Sequence, residues 1–98
     1  MSALKAVKDY QTRMFNPGSL QVRKAFVLDN GEICLQVDGQ NQMGGMAFND
    51  VHYSSNGKEH SDWASDLEVC WRTFDQAEKT RLDSDVTEKV QQALKDGR

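Results

Sequence analysis

The chain predicts an α+β domain: an N-terminal helix, a three- or four-stranded antiparallel sheet across residues 19–56, and a helix or helix pair packed on that sheet at the C-terminal end. Three observations carry this expectation. Apolar residues recur at three- and four-residue spacing at the start, alternate in the middle, and return to helical spacing from about residue 66. An Asn-Gly pair divides the alternating region where a hairpin turn belongs. A Ser-x-x-Glu pattern opens the last third, supplying acceptors for the free N–H groups of a helix start.

Ser2 is placed to cap the first helix, and Leu4, Val7, Tyr10 and Met14 form one apolar stripe, most simply a core-packing face. The helix should stop before Asn16-Pro17-Gly18, because proline disfavours helical geometry in the residue before it. Beyond that turn "SLQVRKAFVL" alternates with one slip at Arg23-Lys24, consistent with a bulge or a strand bend. Asp29-Asn30-Gly31 follows, and Asn30 and Gly31 both accept the positive φ of a tight hairpin turn. The return strand places Ile33, Leu35 and Val37 on one face and Cys34 and Gln36 on the other.

The stretch "GQNQMGGMAF", Gly39 to Phe48, is unusually rich in glycine and amides for so small a chain. A phosphate cradle would need GxGxxG or GxxxxGK[ST] leading from a strand into a helix. Here no lysine follows the glycines, and "MAFNDVHYSS" reads as another strand. The stretch is therefore a strand–connection–strand passage in which Gly44 and Gly45 permit a sharp bend or a close backbone approach.

In the last third Ser65-Asp66-Leu67-Glu68 fits the capping box, and Leu67, Cys70, Trp71, Phe74 and Ala77 fall on one face, continued by Leu82. Asp85-Val86-Thr87-Glu88 is a second start, with Val86, Val90, Ala93 and Leu94 as its stripe. Either one helix bends near residues 83–85 or two helices meet there. Trp71 then shares the core with Phe74. Trp63, in a polar run, either staples the helix start or stands exposed as a contact residue.

Ninety-eight residues make a single domain, and 38% hydrophobic with 28% charged residues is the composition of a globular protein. A net charge of -3 argues against a general nucleic-acid binder. No stretch approaches the roughly 18 apolar residues of a membrane span. Lys5 and Lys8 stand where a signal peptide would have its apolar core, so none is expected in this stretch, and both an exported and a cytosolic protein stay open. His52, His60 and Asp62 are spaced H-x7-H-x-D, which matches no compact metal site, so neither metal nor organic cofactor is expected. The histidines read instead as surface residues of a strand and a loop. Cys34 and Cys70 permit one disulfide or two unrelated buried thiols. A nucleophilic thiolate would need His52 or His60 as base and an electropositive setting, whereas both cysteines fall on apolar faces.

Asn16-Pro17-Gly18-Ser19, Ile33-Cys34-Leu35-Gln36-Val37 and Gln40-Asn41-Gln42-Met43-Gly44-Gly45 together resemble a small bacterial domain of unknown function found in envelope proteins and lipoproteins. The resemblance spans residues 4–55, with Asn16, Leu35 and Met46 departing from a pattern that has Asp, Gly and an aromatic there. It implies a helix on a small antiparallel sheet in an exported protein, with the Gly44-Gly45 stretch as a structural signature beside the turn residues Pro17, Asn30, Gly31 and Asn41. It implies no catalytic activity, and in some members the hairpin cysteine pairs with one near the C-terminal helix. If the final helix packs on the Cys34 face, Cys34 and Cys70 come within bonding geometry; two separate thiols in a cytosolic protein are the competing expectation. The expected function is a non-catalytic periplasmic or secreted domain that binds a protein partner through a sheet edge or an outer helix face. The alternative is a small thiol-dependent or hydrolytic enzyme using Cys34 with His52 or His60.

Overall fold

The computed structural model describes residues 2–57 and 64–96. Its elements run α1 (Ala3–Gln11), β1 (Gln21–Val27), β2 (Ile33–Gln40), β3 (Met46–Tyr53), α2 (Ala64–Lys79) and α3 (Thr87–Lys95). The strands form one antiparallel sheet in the order β1-β2-β3. The fold is α+β, with three strands.

Ser2 caps α1 as expected, its hydroxyl accepting from the Lys5 N–H at 3.1 Å. The helix ends sooner than the apolar stripe implied. Thr12 turns its hydroxyl back onto the Asp9 carbonyl at 2.6 Å, and the Arg13 and Met14 N–H groups fall to the carbonyls three residues earlier. Met14 therefore leaves the stripe and fills the space over Gly39, where a Cβ would collide with its methyl group. The buried positions of α1 are Ala3, Ala6 and Val7, with Leu4 and Tyr10 packed half-buried beside them. The C-terminal end of α1 is tied to β3 by a closed polar triangle. The Tyr53 hydroxyl donates to Asp9 at 2.8 Å and accepts from Arg13 at 2.8 Å, and Arg13 bridges Asp9 at 3.0 Å. Pro17 opens a single 3-10 turn, Pro17–Ser19, and the Ser19 hydroxyl accepts from the Gln40 N–H at 2.8 Å.

Both hairpins close alike, and this accounts for the glycine-rich stretch. In the first, the Leu28 N–H bonds the Glu32 carbonyl at 2.8 Å and the Gly31 N–H bonds the Leu28 carbonyl at 2.9 Å. In the second, the Asn41 N–H bonds the Gly45 carbonyl at 2.8 Å and the Gly44 N–H bonds the Asn41 carbonyl at 3.0 Å. Each is a three-residue loop, a turn followed by one left-handed residue: Gly31 at φ +86° and Gly44 at φ +82°. Asn30 does not take positive φ, so the two-residue turn expected for Asn30-Gly31 is not formed. Asn30 instead accepts from the Glu32 N–H through its side chain at 3.0 Å. Asn41 does more, taking the Met43 and Gly45 N–H groups at 3.0 and 3.1 Å. Gly45 needs neither positive φ nor a close approach, since a Cβ there would meet Asn41 at an ordinary 3.8 Å.

The sheet buries both faces of β2. Ile33, Leu35 and Val37 join Val22, Ala25, Val51 and Tyr53 against α1 and Val90 of α3. On the opposite face Phe26 and Cys34 pack with Cys70 and Phe74 of α2, and Leu28, Ala77 and Leu82 close that cluster. Cys34 and Cys70 are bonded, with Cα atoms 5.4 Å apart across 36 positions of sequence. The Phe26 and Phe74 rings meet edge to face at 5.4 Å. The expected irregularity at Arg23-Lys24 is a register shift between Val22 and Lys24.

Two helices, not one bent helix, form the C-terminal part. Between them the chain gives its backbone to β1: the Val27 N–H bonds the Ser84 carbonyl and the Val86 N–H bonds the Ala25 carbonyl, both at 2.9 Å. Thr87 completes the seam, its hydroxyl accepting from the Ala25 N–H at 3.0 Å. Since α2 begins at Ala64, Ser65 lies inside the helix and is not its N-cap. His60, Asp62 and Trp63 fall outside the described residues. No described helix is long and apolar enough to cross a membrane.

Removing the bridge between Cys34 and Cys70 should cost about 4 kcal/mol in the chain-entropy model for a loop of this length. A fall in the urea midpoint on adding reductant, reproduced by Cys34→Ser with Cys70→Ser, is the expected outcome. An unchanged midpoint would mean that the bridge does not hold α2.

Candidate functional site

The α2 helix lies across one face of the sheet but covers only part of it. Trp71 meets β3 at Asp50, Cys70 meets β2 at Cys34, and Phe74 and Glu78 meet β1 at Phe26 and Lys24. These contacts roof the cross-strand rows Phe26–Cys34–His52 and Lys24–Gln36–Asp50. Alternation along the strands puts Asp38, Gln40, Phe48 and Met46 on the same face, one and two rows beyond the helix. Arg23, released by the bulge, folds onto Asp38 at 2.6 Å and leaves that carboxylate nearly buried. Phe48 and Met46 have no such cover and are 58% and 56% exposed. Met43, at the hairpin tip, is 95% exposed. Segment 14–16 reaches the same end of the sheet, through Met14 over Gly39 and the Asn16 amide on Gln40 at 2.6 Å, and brings exposed Phe15 there.

The two sheet edges differ in the same region. In an antiparallel pair, residues alternate between bonding their neighbour strand and turning their N–H and C=O outward. Counting from the Leu28–Glu32 pair puts Phe26 inward and Ala25 and Val27 outward. Both outward residues of β1 are met by the Ser84–Thr87 segment, and the Gln91 amide takes the Val22 carbonyl at 2.7 Å. The same count from the Asn41–Gly45 pair turns Met46, Phe48 and Asp50 outward from β3. Their outward backbone groups have no partner among the described residues. Within β3 there is no Lys, Arg or Pro, and its register against β2 has no shift, so Asp50 is the one charged carboxylate the strand carries and neither a bulge nor a proline interrupts the edge.

Asp50 stands where the roofed and bare parts of the face meet. Its carboxylate accepts from the Trp71 indole N–H at 2.8 Å and from the Gln36 amide at 3.1 Å. Both donors are neutral, and no cationic side chain pairs with it among the described residues. Trp71 thus spends its polar edge on Asp50 and is 41% exposed, so it is not the core residue its helical spacing implied. A shared helical face says which residues align, not how far the opposite layer extends.

The remaining expected site residues resolve differently. His52 is 6% exposed beneath α2, paired across the strands with Cys34 and 3.4 Å from Glu32, and is not the surface histidine expected. Cys34 is consumed by its bond to Cys70, so a thiolate at Cys34 requires that bond to be broken. No group of three His, Cys, Asp or Glu that could hold a metal ion occurs among the described residues. Pro17, Asn30, Gly31, Asn41 and Gly44 all serve turns, as described above.

The class defined by this geometry is a small disulfide-bonded α+β domain with one sheet edge bonded by residues 84–87 and the other without a backbone partner among the described residues. No family model matches the chain, and neither a curated protein nor a solved structure matches it.

The packing separates surface from core in a measurable way. Met46→Ser combined with Phe48→Ser should change unfolding free energy by no more than about 1 kcal/mol, the sum for two surface positions. Phe74→Ala should cost about 3 kcal/mol or more. Urea titration of the two variants checks the contrast; a large loss from the β3 pair would show that those side chains support the fold.

Proposed function

We propose that the chain is a non-catalytic, extracytoplasmic domain, periplasmic or secreted, that binds another protein through the open end of its sheet. The observation that carries this reading is the coincidence of exposed Met43, Met46 and Phe48 with a backbone edge that has no described partner. Large apolar side chains beside unpaired strand groups are what protein recognition by a sheet uses, and they are a liability in a domain that meets no partner. A disulfide supports an oxidising compartment. The net charge of -3 speaks against nucleic acid as the partner. The thiol-enzyme alternative would need Cys34 released from Cys70 before His52 or His60 had anything to activate.

Site-specific photo-crosslinking in the cells that make the protein tests this. A photoreactive residue in place of Phe48 should give a discrete protein adduct, and one in place of Lys5, exposed on α1, should not. Absence of an adduct at Phe48, or equal adducts at both positions, would overturn the reading.

A further inference from the structure

Taking the protein-binding role as given, we infer that the partner enters as an extended strand, antiparallel to β3. Opposite Asp50, Phe48 and Met46 it presents, in its own N-to-C order, a lysine or arginine, an apolar residue and a second apolar residue at alternate positions. Three features of β3 specify this chemistry. First, the groups awaiting a partner are N–H and C=O pairs spaced two residues apart, at Met46, Phe48 and Asp50. Only an extended backbone presents complementary groups at that spacing, and antiparallel addition continues the existing sheet.

Second, the side chains of those same three residues lie on one face, so directly opposed partner residues point the same way. Phe48 and Met46 are more than half exposed, and an apolar residue opposite each removes both from water. Third, Asp50 is a carboxylate whose partners among the described residues are neutral donors, Trp71 and Gln36. Adding a strand dehydrates it further, which a cation opposite it compensates and an anion would aggravate. The bare face thus reads a pattern, basic–x–apolar–x–apolar, through one charge and two apolar contacts.

The experiment uses the intact, oxidised protein and synthetic peptides, followed by titration calorimetry. The probe contains lysine–threonine–valine–threonine–isoleucine in an otherwise polar sequence. Replacing its lysine by glutamate should weaken binding about fivefold, the size of a cross-strand charge effect. Methylating the backbone nitrogens of its lysine and valine, which face the edge, should weaken binding about tenfold or more by removing two hydrogen bonds. Asp50→Asn, which keeps an acceptor for the Trp71 indole, should abolish the preference for lysine over glutamate while leaving sensitivity to N-methylation intact.

Equal affinity for the lysine and glutamate peptides, or tolerance of N-methylation, would overturn this pairing mode without touching the Phe48 adduct on which the broader role rests. Loss of the Phe48 adduct with peptide binding retained would instead remove the broader role. Self-association of the protein, abolished by Phe48→Ser, would identify the occupant as a second copy and overturn the assignment to a basic–apolar segment.

Discussion

A sheet of three strands has one interior strand, and here β2 must be dry on both sides. Ile33, Leu35 and Val37 are buried on one face and Cys34 on the other, so each face requires its own cover. The first is supplied by α1 and α3, which bury Ala3, Ala6, Val7 and Val90 and flank them with half-buried Leu4, Tyr10 and Leu94. The second is supplied by Cys70, Phe74 and Ala77 of α2 with Leu82 beyond it, a smaller cluster. The disulfide joins α2 to the interior strand at the centre of that smaller cluster. A covalent tie on the side with the smaller apolar cluster adds stability where burial contributes less.

Covering both faces still leaves two edges, and the chain treats them differently. Residues 84–87 could have continued a helix, but their backbone bonds β1 instead, and the break between α2 and α3 is the consequence. The seam satisfies Ala25 and Val27 while setting α3 against the α1 side of the sheet. At β3 the described chain offers nothing equivalent beside Met46, Phe48 and Asp50. Because α2 crosses the strands rather than running along them, its cover gives out at the same end, and an open edge adjoins a bare face. The proposed binding surface thus lies where the described covering elements stop.

Local rules made much of this legible in advance. Changes of hydrophobic period located the helices and strands, the slip at Arg23-Lys24 marked the bulge, and the glycines of "DNG" and "MGG" marked the hairpins. The finer turn geometry was not legible, because Asn30-Gly31 serves a three-residue loop as readily as a two-residue one. Met14 was misplaced because the bonds that end α1, from Thr12 to Asp9 and from Arg13 to Tyr53, do not register in an apolar stripe. Trp71 and His52 exchanged their expected environments for one shared reason: burial on this face depends on the crossing of α2, a long-range property that no periodicity encodes. The setting of Asp50 was hidden among other carboxylates until its described neighbours were known to be Trp71 and Gln36.

Residue-resolved amide hydrogen exchange on the oxidised protein tests the asymmetry of the two edges most directly. Ala25 and Val27, whose N–H groups meet Thr87 and Ser84, should exchange slowly. Along β3 protection should alternate, with Asn49 and Val51 slow and Phe48 and Asp50 fast, because the latter pair faces outward. Protection at Phe48 and Asp50 equal to that at Asn49 and Val51 would contradict an open edge, and with it the recognition surface built on that edge.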